Sequence, residues 1–461
     1  KDPIWVNDST LIFSSDRGGN FDLYSITSKD PNERNLYKTF KLDIRKLTNS
    51  ELEEEGTKIS PDRKKLAYRR GRGQLVVANI SPSGSLSGER TLVNGWATAT
   101  DLSWSPDSKW VAYSMDDLEF NQEVYIHNVS SGDPVNISLH PRVDDNPIWS
   151  KDGSKLGFLS TRNNGDSDVW FVWLKKEDWE RTKRDWDEEE DEAPKAKSKK
   201  DKDAKKSVEP IQIDFEDIHE RLVQVTRLAG NEANLAISKD GEQFYFHTNA
   251  GGRAGSPGKP DFMSVKWDGS ELKTLFPDFG IRGLTLSKDG KAMYGLKSGN
   301  VQKVKPKEKK KETLRFNAKI DVDHHAQRKQ IFEEGWRRLN DGFYDPNFHG
   351  QDWKALKEKY YDRCMNASTS QDFTFHFNEM LGQLNASHMG LFGSNPEKTQ
   401  RESTGQLGVS ISPVTNGVQI KRVIPRTPAD RTESKLQAGD IIKAVNGKPI
   451  KSSVKLYSLF N

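Results

Sequence analysis

The stretch Phe373 to Gly390, FTFHFNEMLGQLNASHMG, runs an amphipathic helix straight into the pair Ser387-His388. Imidazole is the side chain whose ordinary pKa lets it take and return a proton near neutral pH. A histidine delivered at the end of a buried helix therefore suits a general base, which takes a nucleophile's proton and passes it to a leaving group. A lone histidine after a helix also suits a purely structural place, and the local sequence leaves both readings open. Other reactive candidates carry less. Asp323-His324-His325 lacks a second ligand cluster and the H-E-x-x-H spacing, so it reads as a helix lead-in rather than a metal site. Cys364 is the one cysteine, which excludes an internal disulfide and multi-cysteine zinc motifs; it is either packed in a helix or reactive. No G-x-S-x-G elbow occurs in the chain.

The elements that must position Ser387-His388 are helical. From Ala326 the apolar spacing changes from 2 to 3.6, with Phe332, Trp336, Leu339 and Phe343 on one face. Asp345-Pro346 breaks that helix, because proline disfavours helical backbone in the residue before it. A second helix aligns Trp353, Leu356 and Tyr360. Thr369 or Ser370 can cap a third, which buries Phe373, Phe377, Met380, Leu381 and Leu384. This helical module is expected over residues 326–398, behind a charged linker at 306–325.

A repeat fills residues 1–305. LSWSPDSKWVAYSM from Leu102 has counterparts at Pro3, Lys58, Pro147, Leu235 and Leu284. In each, a short apolar strand ends at a turn aspartate: Asp8, Asp62, Asp107, Asp152, Asp240 and Asp289, spaced by 54, 45, 45, 88 and 49 residues. Asp in such turns bonds its own backbone, and a second alternating strand follows. Short strands at that period predict β-propeller blades. Six are visible, and a seven-bladed ring with one blade upstream of Lys1 is the expected count. Trp5, Trp104, Trp110, Trp149 and Trp170 are expected to pack between blades. The long spacing is one repeat plus about 43 residues, 175–217, with the blocks DWDEEEDE and KAKSKKDKDAKK. Opposite charge blocks without apolar periodicity predict a disordered excursion.

Composition bounds the alternatives. The 461 residues carry 71 Lys+Arg against 68 Asp+Glu, 33% hydrophobic and 30% charged residues, with a mean hydropathy of −0.83. Near-cancelling charge offers no nucleic-acid face, and no run of 18 apolar residues predicts membrane insertion. The fold class is therefore multidomain and mainly β.

From Gly405 the chain reads GQLGVSISPVTNGVQIKRVIPRTPADRTESKLQAGDIIKAVNGKPI. The Thr427-Pro428-Ala429 turn, the Leu436-x-Ala-Gly-Asp-Ile-Ile run and the Gly405-to-Val409 loop resemble a protease-type α+β PDZ domain, expected over 404–461 and incomplete at its C-terminus. That resemblance makes Leu407, Gly408 and Val409 a carboxylate-binding loop, with peptide added to the adjacent strand. The order of propeller, helices ending in Ser-His, then PDZ resembles the tricorn protease family. GWRRLNDGFYDPNFHGQDWKALKEKYYDRC also resembles the related tail-specific peptidases, which use a Ser/Lys dyad. Ser387-His388 points to the tricorn branch.

The tricorn resemblance implies an enzyme, a serine-type peptidase acting on oligopeptides or unfolded polypeptides. The propeller would guide substrate to His388 as general base, and Ser387 would support the site. The nucleophile and its acidic partner are expected beyond Asn461, so residues 1–461 alone are expected to be inactive. The resemblance implies no cofactor or metal. It implies a ring-shaped homo-oligomer and a cytoplasmic location, with the periplasm or export as the alternative. The competing functional reading is a non-catalytic propeller–PDZ scaffold for protein partners.

Overall fold

The Ser-x-Asp turns are built as the repeat requires. Ser60 Oγ donates to Asp62 Oδ1 at 2.6 Å, the backbone N–H of Lys64 donates to the same oxygen, and Ser60 Oγ accepts from Lys65 N–H. The same pattern recurs at Ser105-Asp107 and at Ser287-Asp289. Each aspartate locks a tight connection between two antiparallel strands, which fixes their register.

A computed structural model describes residues 1–39, 41–182, 184–186, 188, 210–249, 260–317, 321–393, 404–434, 436–451, 453 and 455–460. They fall into two units, Lys1–Asn317 and Ala318–Asn461. The first is a β-propeller of six four-stranded antiparallel meanders, over 4–46, 54–94, 100–136, 144–224, 232–276 and 282–314. Apolar cores join consecutive blades: Ile12 and Leu23 with Leu66 and Val76, then Val77 with Val111, Val124 with Leu156, Phe171 with Phe244, and Phe262 with Met293. Trp104 and Trp149 are buried, and each indole N–H donates to a carbonyl of the preceding blade, on Lys58 and Ser103.

Two stretches depart from expectation. Within 175–217, residues 183, 187 and 189–209, on which the expected disordered excursion falls, lie outside the described set, and residues on both sides of them pack on the propeller. Trp186 stacks on Trp173 at 5.1 Å, while Ile211, Ile213 and Phe215 pack on the core between the third and fourth blades. Apolar residues at the margins of the charge blocks thus anchor the excursion. In 306–325, Lys310–Leu314 is the outer strand of the sixth blade, paired with Asn300–Lys305. The propeller unit therefore extends past 305.

Buried acids recur where blades meet. The first residue of the innermost strand is Glu54 in the second blade, Asp144 in the fourth and Glu232 in the fifth, all buried. Arg70 Nε meets Glu54 at 2.6 Å, and Arg162 reaches both Asp144 oxygens at 3.0 Å. At Glu232 the position that pairs across the strands, occupied by Arg70 in the second blade, is Thr248. Thr248 and Thr226 hydroxyls donate to the two Glu232 oxygens at 2.8 Å, and Glu232 also hydrogen-bonds the buried Asp168 carboxyl. Burial drives Glu232 from its ordinary 4.5 up to about 7 and raises Asp168 as well.

Among the described residues, no helix is long and apolar enough to cross a membrane.

Candidate functional site

The second unit contains helices His324–Gly342, Trp353–Met365 and Ser370–Gly382. The Asp323 carboxylate accepts the backbone N–H groups of His325 and Ala326 at 3.0 Å, so it caps the long helix. Thr369 caps the last helix in a reciprocal box with Asp372, its hydroxyl accepting Asp372 N–H at 3.1 Å. Replacing Thr369 by alanine should cost about 1 kcal/mol of stability. Urea unfolding of the variant checks this, and an unchanged midpoint would contradict it.

The three helices enclose Phe332, Trp353, Leu356, Tyr360, Phe377 and Met380. Gly335 permits the close crossing, since a Cβ there would lie 2.5 Å from the Phe377 ring. Trp336 and Trp353 exchange indole N–H to carbonyl bonds at 3.0 and 3.3 Å. Cys364 is fully buried, and burial pushes its thiol up to about 12. It is packed and protonated, which settles the open choice against a reactive thiol.

After the last helix the chain leaves the core at Leu384, which is itself buried. Asn385 and His388 adopt left-handed backbone, with φ of 48° and 60°, and a histidine there is strained by about 1 kcal/mol or more. The chain re-enters at Met389 and Leu391, which pack on the helical core. Asn378 holds that return: its amide accepts Leu391 N–H at 2.6 Å and donates to Leu391 O at 3.2 Å. Between these points Ser387 and His388 stand exposed on a short arch. Among the described residues neither side chain has a hydrogen-bond partner, and no nucleophile or carboxylate meets the imidazole. Asn378 was not evident as a site residue, because an asparagine on a helix flank gives no sequence signal of a loop thirteen residues on.

The remaining candidates, Leu407, Gly408 and Val409, lie together. They line a cavity of about 380 Å³ with Ile411, Leu456 and Phe460. Val409–Val414 is the edge of a three-stranded sheet with Gly417–Val423 and Ile441–Ile442. Gly408 has φ of 80°, and a Cβ there would lie 2.1 Å from the Thr427 side chain. The Leu407 and Gly408 carbonyls accept backbone N–H groups of Ala429 and Ile424, at 2.8 and 2.9 Å. The last turn, Leu456–Phe460, closes the cavity. Its lining role was missed because its apolar residues read only as a helix start.

Family models match two parts of the chain: the tricorn protease C1 domain over residues 324–382 and the PDZ domain over 398–455. The C1 match stops short of Ser387-His388. A protein named as a tricorn-like protease C-terminal subunit of Sulfurisphaera tokodaii is 22% identical over 87% of this chain and 48% of its own length. Tricorn protease homolog 1 of Streptomyces coelicolor is 24% identical over 76% of this chain and 36% of its own. A crystal structure of the tricorn protease shares the fold with a TM-score of 0.65 at 13% identity, over 99% of this chain and 45% of that one. The chain thus spans about half the length, or less, of the relatives it matches. With both domain models matched in this order behind the propeller, the chain is similar to the tricorn proteases in domain order and fold.

Proposed function

We propose that this chain is the N-terminal portion of a serine peptidase that cleaves oligopeptides, with His388 as general base and Ser387 as a supporting neighbour. The observation that carries the reading is the arch itself. A strained, exposed imidazole on a loop fixed at its return serves no packing purpose, and it is available to a nucleophile from another segment. Similarity to the tricorn proteases supports the peptidase class. The serine nucleophile and the acid that orients His388 belong, on this reading, to sequence outside residues 1–461, and the propeller guides peptides toward them. The complete protein would act in the cytoplasm as a homo-oligomer, which subcellular fractionation and light scattering of the purified protein test.

The PDZ cavity supplies the peptide contact. N–H groups of the loop Leu407-Gly408-Val409 would receive a terminal carboxylate, and the free edge of Val409–Val414 would pair with the peptide backbone. Gly408→Ala should weaken binding of a free-carboxylate peptide by at least about tenfold, because the loop cannot keep its shape with a Cβ against Thr427. Fluorescence polarisation reads this, and unchanged affinity would remove the loop from the site. The function as a whole is tested by incubating the complete protein with a mixture of oligopeptides and reading fragments by mass spectrometry. Cleavage is expected; peptide binding without any cleavage would favour the scaffold reading.

A further inference from the structure

The connection between the long and middle helices is unusually strained. Phe348 and His349 adopt φ of 49° and 52°, and Gly350 follows at 79°, giving three left-handed residues in a row. Phe348 carries a bulky side chain that avoids this region. Asp345 holds the knot by accepting the backbone N–H groups of Asn347 and His349 at 2.9 and 2.8 Å. These bonds keep its carboxyl below the ordinary range. The Phe343 ring lies edge-on to the His349 imidazole with centroids 5.4 Å apart.

The strain aims one side chain at one atom. His349 Nδ1 lies 2.7 Å from the Leu384 carbonyl oxygen, 35 residues on, and Tyr344 Oη lies 2.5 Å from Nε2. A carbonyl only accepts, so Nδ1 carries the proton, and in the neutral ring Nε2 accepts from the tyrosine hydroxyl. Leu384 is the last buried residue before the Asn385–His388 arch. It lies two residues past the end of the Ser370–Gly382 helix, just beyond the C-cap Gln383. Asn378 fixes the arch where it returns, at Leu391; His349 fixes it where it departs.

We propose that His349, oriented by Tyr344, is a positioning residue that pins the departure of the His388 arch and so sets where the imidazole is presented. The proposal rests on the assignment of His388 as the base. It accounts for a strained connector that seats Phe348 on Trp353 and also sends one hydrogen bond across the module to Leu384.

Two variants separate positioning from general stability. His349→Phe keeps a ring against Phe343 and removes the donor. His349→Asn loses the ring, keeps an N–H near the Nδ1 position and tolerates left-handed backbone. Hydrogen–deuterium exchange of the 461-residue chain is read by peptide. His349→Phe is expected to speed exchange in 385–390 about tenfold with the three helices unchanged, and His349→Asn to stay near the native rate. Unchanged exchange in 385–390, or a rise of equal size across all three helices, would overturn the proposal. In the complete enzyme His349→Phe should lower kcat with KM kept, and His349→Asn should restore it. If the native protein cleaves no peptide, the peptidase reading fails while exchange still decides the pin.

Discussion

Substituting His388 by alanine in the complete protein should lower kcat/KM for peptide cleavage by roughly 10⁴- to 10⁶-fold, the range for losing the base of a serine triad. That corresponds to about 5 to 8 kcal/mol of transition-state stabilisation. The fold should not notice. His388 is exposed and has no hydrogen-bond partner among the described residues, so its removal leaves no cavity and no buried group unpaired. The expected signature is a collapse of kcat with an unchanged thermal midpoint and unchanged peptide binding at the PDZ loop. Cleavage within tenfold of the native rate would take His388 out of the mechanism. A loss of activity accompanied by unfolding would point to a structural histidine instead.

The second large effect concerns the propeller and pH. In the second and fourth blades an arginine faces the buried acid at the blade junction; in the fifth, Thr248 and Thr226 face Glu232 and the neighbouring acid is Asp168. Two buried carboxyls with no cation beside them among the described residues share a proton more readily than they both ionise. Because folding raises the Glu232 pKa, the folded state retains a proton that the unfolded state has released. Stability is therefore full below 4.5, falls as pH rises, and has lost its whole increment above about 7. The increment is roughly 3 kcal/mol for a shift of that size. Glu232→Gln mimics the protonated acid and can donate to Asp168. It should gain on the native protein by up to about 3 kcal/mol at pH 8 and by little or nothing at pH 4.5. Urea unfolding followed by tryptophan fluorescence at both pH values measures the difference. A gap that does not change with pH would contradict the account.

Much of the fold was legible because its signals are local. Ser-x-Asp turns announce five of the six blades, the first having Val6-Asn7-Asp8 instead, and their hydrogen bonds close within five residues. The helical module was legible for the same reason: Phe332, Trp336 and Leu339 fall on one face, and all three serve the core. What escaped the sequence lacks a local signal. Lys310–Leu314 is a strand with all five residues exposed, so no apolar alternation marks it and its charges read as a linker. Trp186, Ile211 and Phe215 sit beside charge blocks that hide them, and their partners come from distant strands. At the candidate site, Ser387-His388 and Leu407-Gly408-Val409 were visible as motifs. The anchors that shape the arch were not. Asn378 and His349 act over 13 and 35 residues, and a single polar side chain gives no periodic pattern to detect.

The peptidase reading is tested most directly by treating the complete protein, native and His388→Ala, with a fluorophosphonate, which phosphonylates an activated serine with loss of fluoride. The account predicts covalent labelling of one serine outside residues 1–461 in the native protein, slowed by at least about 10³-fold in the variant because no base removes the hydroxyl proton. Equal labelling of the two proteins, or labelling of neither, would contradict it.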